Sequence, residues 1–450
     1  MAIDVDTPGH AQTMSREARR RYFASQRFWL APGMGVKRHA AAAIAGGVLL
    51  MMGVGIGALW LIGEGRQEVA APLERVLASG TWAAGGGWLA LIATFGGLTL
   101  AVGAIGRLNR SLLSNWLPRP HEAAALLHGR LQLARGPRIV ALGGGAGLST
   151  LLRGLRAYTS NLTAVVAVSD DGGSSGRLRA AFGMPAPGDL ADCLAALSGH
   201  EAALGRLLQY RFSRGAELQG HTFGNLLITT LTEVEGDFGD ALRAINAMLD
   251  LSGAVYPVTA VPVELVMTKL DGSTVVGESR VRERSGAITS VAIRPEAPAA
   301  LPEVVAAIAD ADLVVLGPGS LFTSTLPPVL VPDVAQALQR SPARLVYVCN
   351  IMTEDGETNG LDAWEHVDVV ARALGRRPDV CVVNDEPVDD ARLSAYRAER
   401  ADVVAVDVER FAREGVALER WSLLGDGPVA QHDPERLARH IYELIAKGTP

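Results

Sequence analysis

Two adjacent acids stand among glycines and serines in the segment VSDDGGSSGRLR, which runs from Val168 to Arg179. They follow the apolar run NLTAVVAV, so Asp170 and Asp171 are predicted at the carboxyl end of a strand. Ligands of open α/β sheets bind beyond that edge. Carboxylates placed there hold ribose hydroxyls, or hold Mg²⁺ beside a diphosphate. Ser174 adds a hydroxyl, and an ordinary acidic turn before a capped helix is the alternative interpretation.

A glycine-rich turn, GGGAGLST at 143–150, follows a short apolar run and precedes leucines at helical spacing. Glycines let backbone N–H groups approach an anion, and the following helix points its positive end at the same place. Thr150 stands where the dinucleotide fingerprint has its third glycine, and no Gly-Lys-Ser/Thr follows. The turn therefore predicts a phosphate site or a plain strand–helix connection. The phosphate-binding candidates are Gly143, Gly144, Gly145, Gly147 and Ser149.

Other polar residues fall at the same predicted edge of the sheet. Asp189, in PGDLADC, suits the site or the cap of a helix equally well. Tyr210 and Arg211 are predicted on one helix, while His221 and Asn225 are spaced to share a face of another. The segment NIMTEDGETNG, 350–360, is predicted to be a lid or rim. The remaining ligand-binding candidates are Asp189, Tyr210, Asn225, Gly317, Gly319 and Ser320, the last three from a second glycine loop, GPGSLFTST.

Glycines, hydroxyl donors and acids make up this constellation, and no Ser-His-Asp, Cys-His or zinc pattern accompanies it. No catalytic residue is assigned. The residue types suit binding of a nucleotide diphosphate, or phosphoryl-type transfer by positioning alone. Mg²⁺ is the candidate cofactor, with Asp170 and Asp189 as its candidate ligands.

Strand and helix patterns alternate from Pro137 onward, which predicts βαβ units and a mostly parallel α/β sheet. Between Tyr256 and Arg294 the apolar residues alternate around Asp271-Gly272, which predicts an antiparallel β-hairpin insertion. The tail after Asp385 ends in an amphipathic helix pattern and contains nothing that indicates catalysis.

Two uncharged runs, Ala40 to Gly63 and Val76 to Gly106, precede this domain. Each exceeds the roughly 20 residues needed to cross a bilayer, and both are rich in glycine and alanine. Arginines and lysines flank the pair on both outer sides, which predicts a two-pass hairpin with both ends in the cytoplasm. The predicted parts are a basic cytoplasmic segment (1–38), a transmembrane hairpin (39–107), a linker (108–136) and a cytoplasmic nucleotide-binding domain (137–450).

Composition excludes some classes of protein. The net charge is −6 and aromatic residues make up 5% of the 450 residues, so nucleic-acid binding is not expected. Cys193, Cys349 and Cys381 are too far apart for a metal motif, and they fit a reducing compartment.

Six motifs, in this order, resemble the YvcK family of gluconeogenesis factors, relatives of the CofD 2-phospho-L-lactate transferases: GGGAGLSTLLRGLR, SDDGGSSGRLR, PGDLADC, GHTFGNLLITTL, ADLVVLGPGSLFTS and VCNIMTEDGET. The resemblance covers Arg138 to about Asp385 and implies a Rossmann-like CofD fold. The N-terminal hairpin lies outside the core family pattern and looks like an added membrane anchor. Ala146 stands where the family usually has threonine, and Ala191 where a basic residue is common after PGDL.

The resemblance implies binding of a UDP-sugar such as UDP-N-acetylglucosamine, and a role in cell shape and peptidoglycan precursor supply. A non-catalytic, membrane-tethered nucleotide-sugar sensor is therefore the preferred hypothesis. The alternative is a CofD-type transferase moving a phospho-acyl group from a nucleotide diphosphate-linked donor, and an NAD(P)-dependent oxidoreductase is a third. Expected partners are cell-wall precursor enzymes and further copies of the chain.

Overall fold

A computed structural model describes residues 36–65, 80–113, 123–198, 202–283 and 287–447. The predicted basic segment before residue 36 lies outside the described residues. The chain divides into two compact units, residues 1–129 and 130–450, which are described separately.

The first unit contains two long helices, α1 (Val36–Gly65) and α2 (Gly80–Leu113), that pack against each other as an antiparallel pair. Glycines make this close packing possible, because an added Cβ would meet the backbone of the other helix. At Gly46 it would lie 2.6 Å from the Ala101 nitrogen, and at Gly97 it would lie 2.4 Å from the Leu50 nitrogen. Small residues at such contacts are typical of helices that associate in lipid.

The outer surface of the pair is apolar. Met51, Trp88 and Ile92 are each about two thirds exposed or more. Two segments, Arg38–Leu61 and Gly87–Asn109, are long and apolar enough to cross a membrane, and only 11% and 17% of them are buried. A core helix of a soluble protein would be mostly buried.

The second unit is built on a fully parallel seven-stranded sheet in the order β10-β9-β8-β7-β1-β2-β3. In chain order, β2 and β3 are added on one side of β1, and β7 to β10 are later added on its other side. The carboxyl ends of β1 and β7 thus form a topological switch point, where ligands of such sheets bind. The strands are β1 (Ile139–Gly143), β2 (Leu162–Val166), β3 (Ala254–Pro257), β7 (Leu313–Leu316), β8 (Arg344–Val348), β9 (Val380–Asn384) and β10 (Ala417–Trp421).

Helices cover this sheet, and strands β1, β7 and β9 are buried almost throughout. Helix α3 (Ala123–Ala134) runs across the boundary between the two units, and the helices of the second unit are α4 (Gly145–Leu155), α5 (Gly173–Phe182), α6 (Gly188–Leu197), α7 (Ala202–Leu208), α8 (Phe223–Glu235), α9 (Phe238–Met248), α10 (Pro302–Ala309), α11 (Leu326–Val329), α12 (Pro332–Arg340), α13 (Ala363–Leu374), α14 (Asp390–Ala398), α15 (Val408–Glu414) and α16 (Pro434–Lys447). The predicted linker of 108–136 includes the end of α2 and all of α3.

The predicted hairpin insertion is present, in an enlarged form. Strands β4 (Glu264–Lys269) and β5 (Thr274–Val276) pair in antiparallel register around Gly272, whose φ of 80° suits the turn. A third strand, β6 (Ile288–Arg294), pairs with β4 to complete a small sheet. The start of the predicted insertion, Tyr256, belongs to β3 of the main sheet instead. The sequence-based prediction of a parallel α/β fold with an antiparallel insertion is confirmed.

Candidate functional site

The two glycine loops touch each other at the switch point. The first connects β1 to α4, and the second leaves β7 at Gly317, whose φ is 76°. A Cβ on Gly147 would lie 2.3 Å from the carbonyl oxygen of Pro318. Any side chain at this helical position would therefore force the loops apart. These glycines allow the loops to meet, a role additional to the predicted approach of backbone to an anion.

A polar cavity of about 500 Å³ opens between the loops. Its volume lies within the roughly 300–1,000 Å³ of ordinary small-molecule sites. The N-terminal end of α4 faces it, with no side chain capping that end. The lining includes residues from both glycine loops, the acids and the predicted rim segment: Gly144, Gly145, Ala146, Gly147, Thr150, Asp170, Asp189, Glu278, Pro318, Gly319, Ser320, Ser324, Asn350, Ile351, Met352, Thr353 and Glu354.

Four carboxylates line this cavity, those of Asp170, Asp189, Glu278 and Glu354. Burial and the neighbouring Asp170 raise the pKa of Asp189 to about 7. Burial, with Asp170 and Asp189 close by, raises the pKa of Glu278 to about 9. Asp189 accepts a hydrogen bond from the backbone N–H of Gly145, which partly offsets the rise in its pKa. Such a group of acids favours a bound proton, a cation or hydroxyl donors on its surface.

Glu278 was not foreseen from the sequence, and Asp171 helps to place it. Asp171 Oδ1 accepts a hydrogen bond of 2.8 Å from the backbone N–H of Ser279. A Cβ on Gly277, whose φ is 95°, would lie 2.1 Å from Asp171 Oδ2. Asp171 does not line the cavity with Asp170 and fixes the segment of the insertion that carries Glu278. Its predicted role as a ligand residue stays untested.

The predicted rim segment is bonded to the second glycine loop. The hydroxyl of Ser320 donates to Glu354 at 2.7 Å, and the amide of Asn350 donates to the same carboxylate at 3.1 Å. The backbone N–H of Gly319 donates to Asn350 Oδ1 at 3.2 Å. Lys269, which is 1% exposed, donates to the backbone carbonyls of Val281 and Gly356 and so ties the insertion to this segment.

The tail of the chain supplies one wall of the cavity, although nothing in its sequence indicates catalysis. Its lining residues are Tyr396, Val429, Ala430, Gln431 and His432. Burial lowers the pKa of His432 to about 4, so this imidazole is neutral at physiological pH. No periodicity or motif in the sequence marks these positions as part of a site.

A second polar cavity, of about 260 Å³, shares two lining residues with the first. Asp170 and Asp189 line both cavities. Ser174 and Asn225, predicted as ligand residues, belong to the second. The acid pair thus separates two polar cavities. The further lining residues are Gly172, Gly173, Ser175, Gly188, Asp192, Arg211 and Thr222.

Several local predictions need correction. Asp189 does not cap α6, since Pro187 holds the cap position and no side chain bonds there. Tyr210 and Arg211 follow α7, which ends at Leu208, and do not lie on it. Tyr210 is 51% exposed and lies edge-on against a neighbouring phenylalanine.

His221 precedes α8, because that helix is capped by Thr222 and begins at Phe223. His221 and Asn225 nevertheless meet at the same hydroxyl, that of Ser174. The hydroxyl of Ser149 is occupied within α4, where it donates to the carbonyl of Ala146 at 3.0 Å. Gly143, Ser149, Tyr210 and Gly317 are not lining residues of either polar cavity.

No group of three His, Cys, Asp or Glu residues that could hold a metal occurs within the described residues. Mg²⁺ commonly takes only one or two carboxylates and completes its shell with water and phosphate oxygens. The pair of Asp170 and Asp189 fits that donor set, provided that a ligand supplies phosphate. The three cysteines are buried and free.

Comparison with known proteins identifies the class. The family 2-phospho-L-lactate transferase CofD matches residues 139–424. The chain therefore belongs to the CofD family, whose Rossmann-like α/β fold carries the two glycine loops described above. Within that family its relatives are gluconeogenesis factors, which confirms the resemblance found in the motifs.

One relative, named Gluconeogenesis factor, from Bacillus subtilis, is 39% identical over 69% of this chain and 98% of its own length. Another, from Deinococcus radiodurans, named "Putative gluconeogenesis factor", is 41% identical over 98% of this chain and 94% of its own length. A crystal structure of a Bacillus halodurans protein, 38% identical, superposes with a TM-score of 0.66 over 68% of this chain and 99% of that protein. Similarity that includes the N-terminal helices thus occurs in some relatives and not in others.

Proposed function

We propose that this chain is a nucleotide-sugar-binding regulator that links central carbon metabolism to cell-wall precursor supply and cell shape. The proposed ligand is a UDP-sugar of the UDP-N-acetylglucosamine type. Its diphosphate would lie between the two glycine loops and its hydroxyls against the acids. The gluconeogenesis-factor name of the relatives supports the metabolic part of this proposal.

The observation that carries the proposal is the contact between the two glycine loops at the switch point. It places the uncapped N-terminal end of α4 beside the Ser320 loop in one polar cavity. Backbone N–H groups at a helix start are suited to phosphate oxygens. Ionised acids opposite a diphosphate would repel it, so Mg²⁺ or bound protons would accompany the ligand.

A CofD-type transferase is the second candidate. Two polar cavities that share Asp170 and Asp189 could hold a nucleotide-linked donor and an acceptor on either side of the acid pair. Among the described residues, only Tyr396 and His432 are aromatic side chains that line the two cavities. This scarcity of stacking residues argues against binding of a flat aromatic acceptor. Binding without turnover is therefore preferred.

Membrane tethering is the second part of the proposal. The exposed apolar side chains of α1 and α2 and their glycine-mediated packing suit a two-pass anchor in lipid. An anchor would hold the nucleotide-binding unit beside lipid-linked wall synthesis, where its proposed partner enzymes and further copies of the chain would be met.

Fractionation of cells that express the full chain tests this anchor. We expect the chain in the membrane pellet after washes with high salt and with alkaline carbonate, and its release by detergent alone. A peripheral protein held by charge would leave the membrane in salt, because exposed ion pairs are screened. Recovery of the chain in either wash would contradict the two-pass anchor.

Calorimetric titration of the detergent-solubilised full chain tests the ligand. UDP-N-acetylglucosamine, GDP and NAD would each be added with and without Mg²⁺, to the wild type and to Asp170→Ala. We expect the UDP-sugar to bind more tightly than the other two, and the variant to bind it at least about tenfold more weakly, a loss of about 1.4 kcal/mol. Tighter binding of GDP that requires Mg²⁺ would favour the transferase instead.

A further inference from the structure

The second cavity contains polar atoms that the protein leaves without partners. Ser175 is 4% exposed, and its hydroxyl has no hydrogen-bond partner among the described residues. Its oxygen lies beside Gly188, where an added Cβ would be 2.3 Å away. Because Ser175 lines the cavity, its hydroxyl is available to hydrogen-bond a molecule bound there.

Asn225 provides a second such atom, and a chain of hydrogen bonds fixes its orientation. Its amide Nδ2 donates to the Ser174 hydroxyl at 3.0 Å, and that hydroxyl contacts His221 Nδ1 at 2.9 Å. Burial and two nearby arginines lower the pKa of His221. Asn225 is 4% exposed, and its Oδ1 is left as an acceptor without a partner in the described part of the chain.

The acceptor atoms around this cavity indicate the kind of ligand. Asp170, Asp189 and Asp192 face it, against the single guanidinium of Arg211, whose Nη1 already donates to the carbonyl of Gly220. Carboxylates and an amide oxygen are acceptors, and hydroxyl groups satisfy them as donors without adding charge. The cavity therefore suits a molecule with several hydroxyls.

The volume and position of this cavity further restrict the kind of ligand that it can hold. A volume of about 260 Å³ is below the roughly 300–1,000 Å³ of sites for drug-sized molecules, and it fits a single sugar ring. The acids that form its wall also line the larger cavity between the glycine loops. A ligand held by its diphosphate in the larger cavity would reach the smaller one past Asp170.

We propose that the cavity lined by Ser175 and Asn225 holds the sugar ring of the nucleotide sugar, while the cavity between the glycine loops holds its nucleotide diphosphate. This inference rests on the proposed function. It assigns Ser175 and Asn225 to sugar selection, separate from the residues that hold the diphosphate.

Titration of the full chain in detergent with two probes, UDP-N-acetylglucosamine and UDP, separates these roles. We expect the wild type to bind the UDP-sugar more tightly than UDP. Ser175→Ala deletes only an unpartnered hydroxyl, so the fold should be kept. It should weaken UDP-sugar binding about three- to tenfold, the effect of one lost hydrogen bond, and leave UDP binding unchanged. Ser324→Ala, the same change in the larger cavity, should alter both affinities by the same factor.

The outcomes separate the two proposals. Equal effects of Ser175→Ala on UDP and the UDP-sugar, or no effect on either, would overturn the sugar site while leaving nucleotide-sugar binding intact. A wild type that binds UDP as tightly as the UDP-sugar would also overturn the sugar site alone. A wild type that binds neither probe would overturn the proposed function, and the sugar site with it.

Discussion

Gly147→Ala is expected to reduce UDP-sugar binding at least about tenfold and to lower the free energy of unfolding by about 1–3 kcal/mol. Alanine suits a helix, so the backbone conformation at this position in α4 is not the cause. The added methyl group would lie 2.3 Å from the Pro318 carbonyl oxygen and 3.0 Å from the Gly319 Cα. Both contacts are with backbone, so the second glycine loop must move away, and the proposed diphosphate site opens.

Titration calorimetry and thermal unfolding of the same variant measure the two effects. Ala157→Ser is the matched control, because Ala157 is exposed just after α4 and lines neither polar cavity. That control should fold as the wild type does and bind within about threefold of it. Unchanged binding by Gly147→Ala would mean that the contact between the loops does not form the ligand site.

Asp189→Asn is expected to raise the free energy of unfolding by about 1–3 kcal/mol near pH 8 in the absence of ligand. Burial raises the pKa of Asp189 to about 7, from the ordinary 3.8, so the native state holds this proton more tightly than the unfolded state does. The proton on Asp189 therefore stabilises the native state fully below about pH 4, and this contribution is lost as the pH rises through about 7. Asparagine has no proton to lose and keeps an acceptor for the Gly145 N–H.

Chemical denaturation across about pH 4 to 8 measures this effect. The advantage of the variant over the wild type should grow with pH through that window. Asp426→Asn, the same substitution at an exposed loop position, serves as the control and should leave the pH profile unchanged. A variant no more stable than the wild type near pH 8 would show that Asp189 is not destabilised by burial beside Asp170.

Local patterns in the sequence identified the scaffold of the site. Apolar runs ending in glycines or acids predicted β1, β2 and β7 and placed Asp170 beside the first glycine loop. This worked because parallel strands bring their carboxyl ends to one edge of the sheet. The same reasoning failed for Tyr210 and His221, which were predicted within helices. Helix α7 ends two residues before Tyr210, and the cap of α8, Thr222, comes directly after His221.

Glu278 and His432 were missed because contacts between distant segments place them. Glu278 reaches the cavity on an insertion that Asp171 and Lys269 tie to the rest of the unit. His432 lies in an irregular segment before α16, where no period or motif distinguishes a wall residue from a surface one. Contacts between distant segments cannot be detected from the local hydrophobic periodicity of the sequence.

The most direct test of the central claim is a crystal structure of the full chain with UDP-N-acetylglucosamine. We predict density for the diphosphate within hydrogen-bond distance of the backbone N–H groups of the first glycine loop and beside Ser320. We predict the sugar ring beyond Asp170, against Ser175 and Asn225. Density for the ligand elsewhere on the unit, with the cavity between the glycine loops empty, would contradict the account.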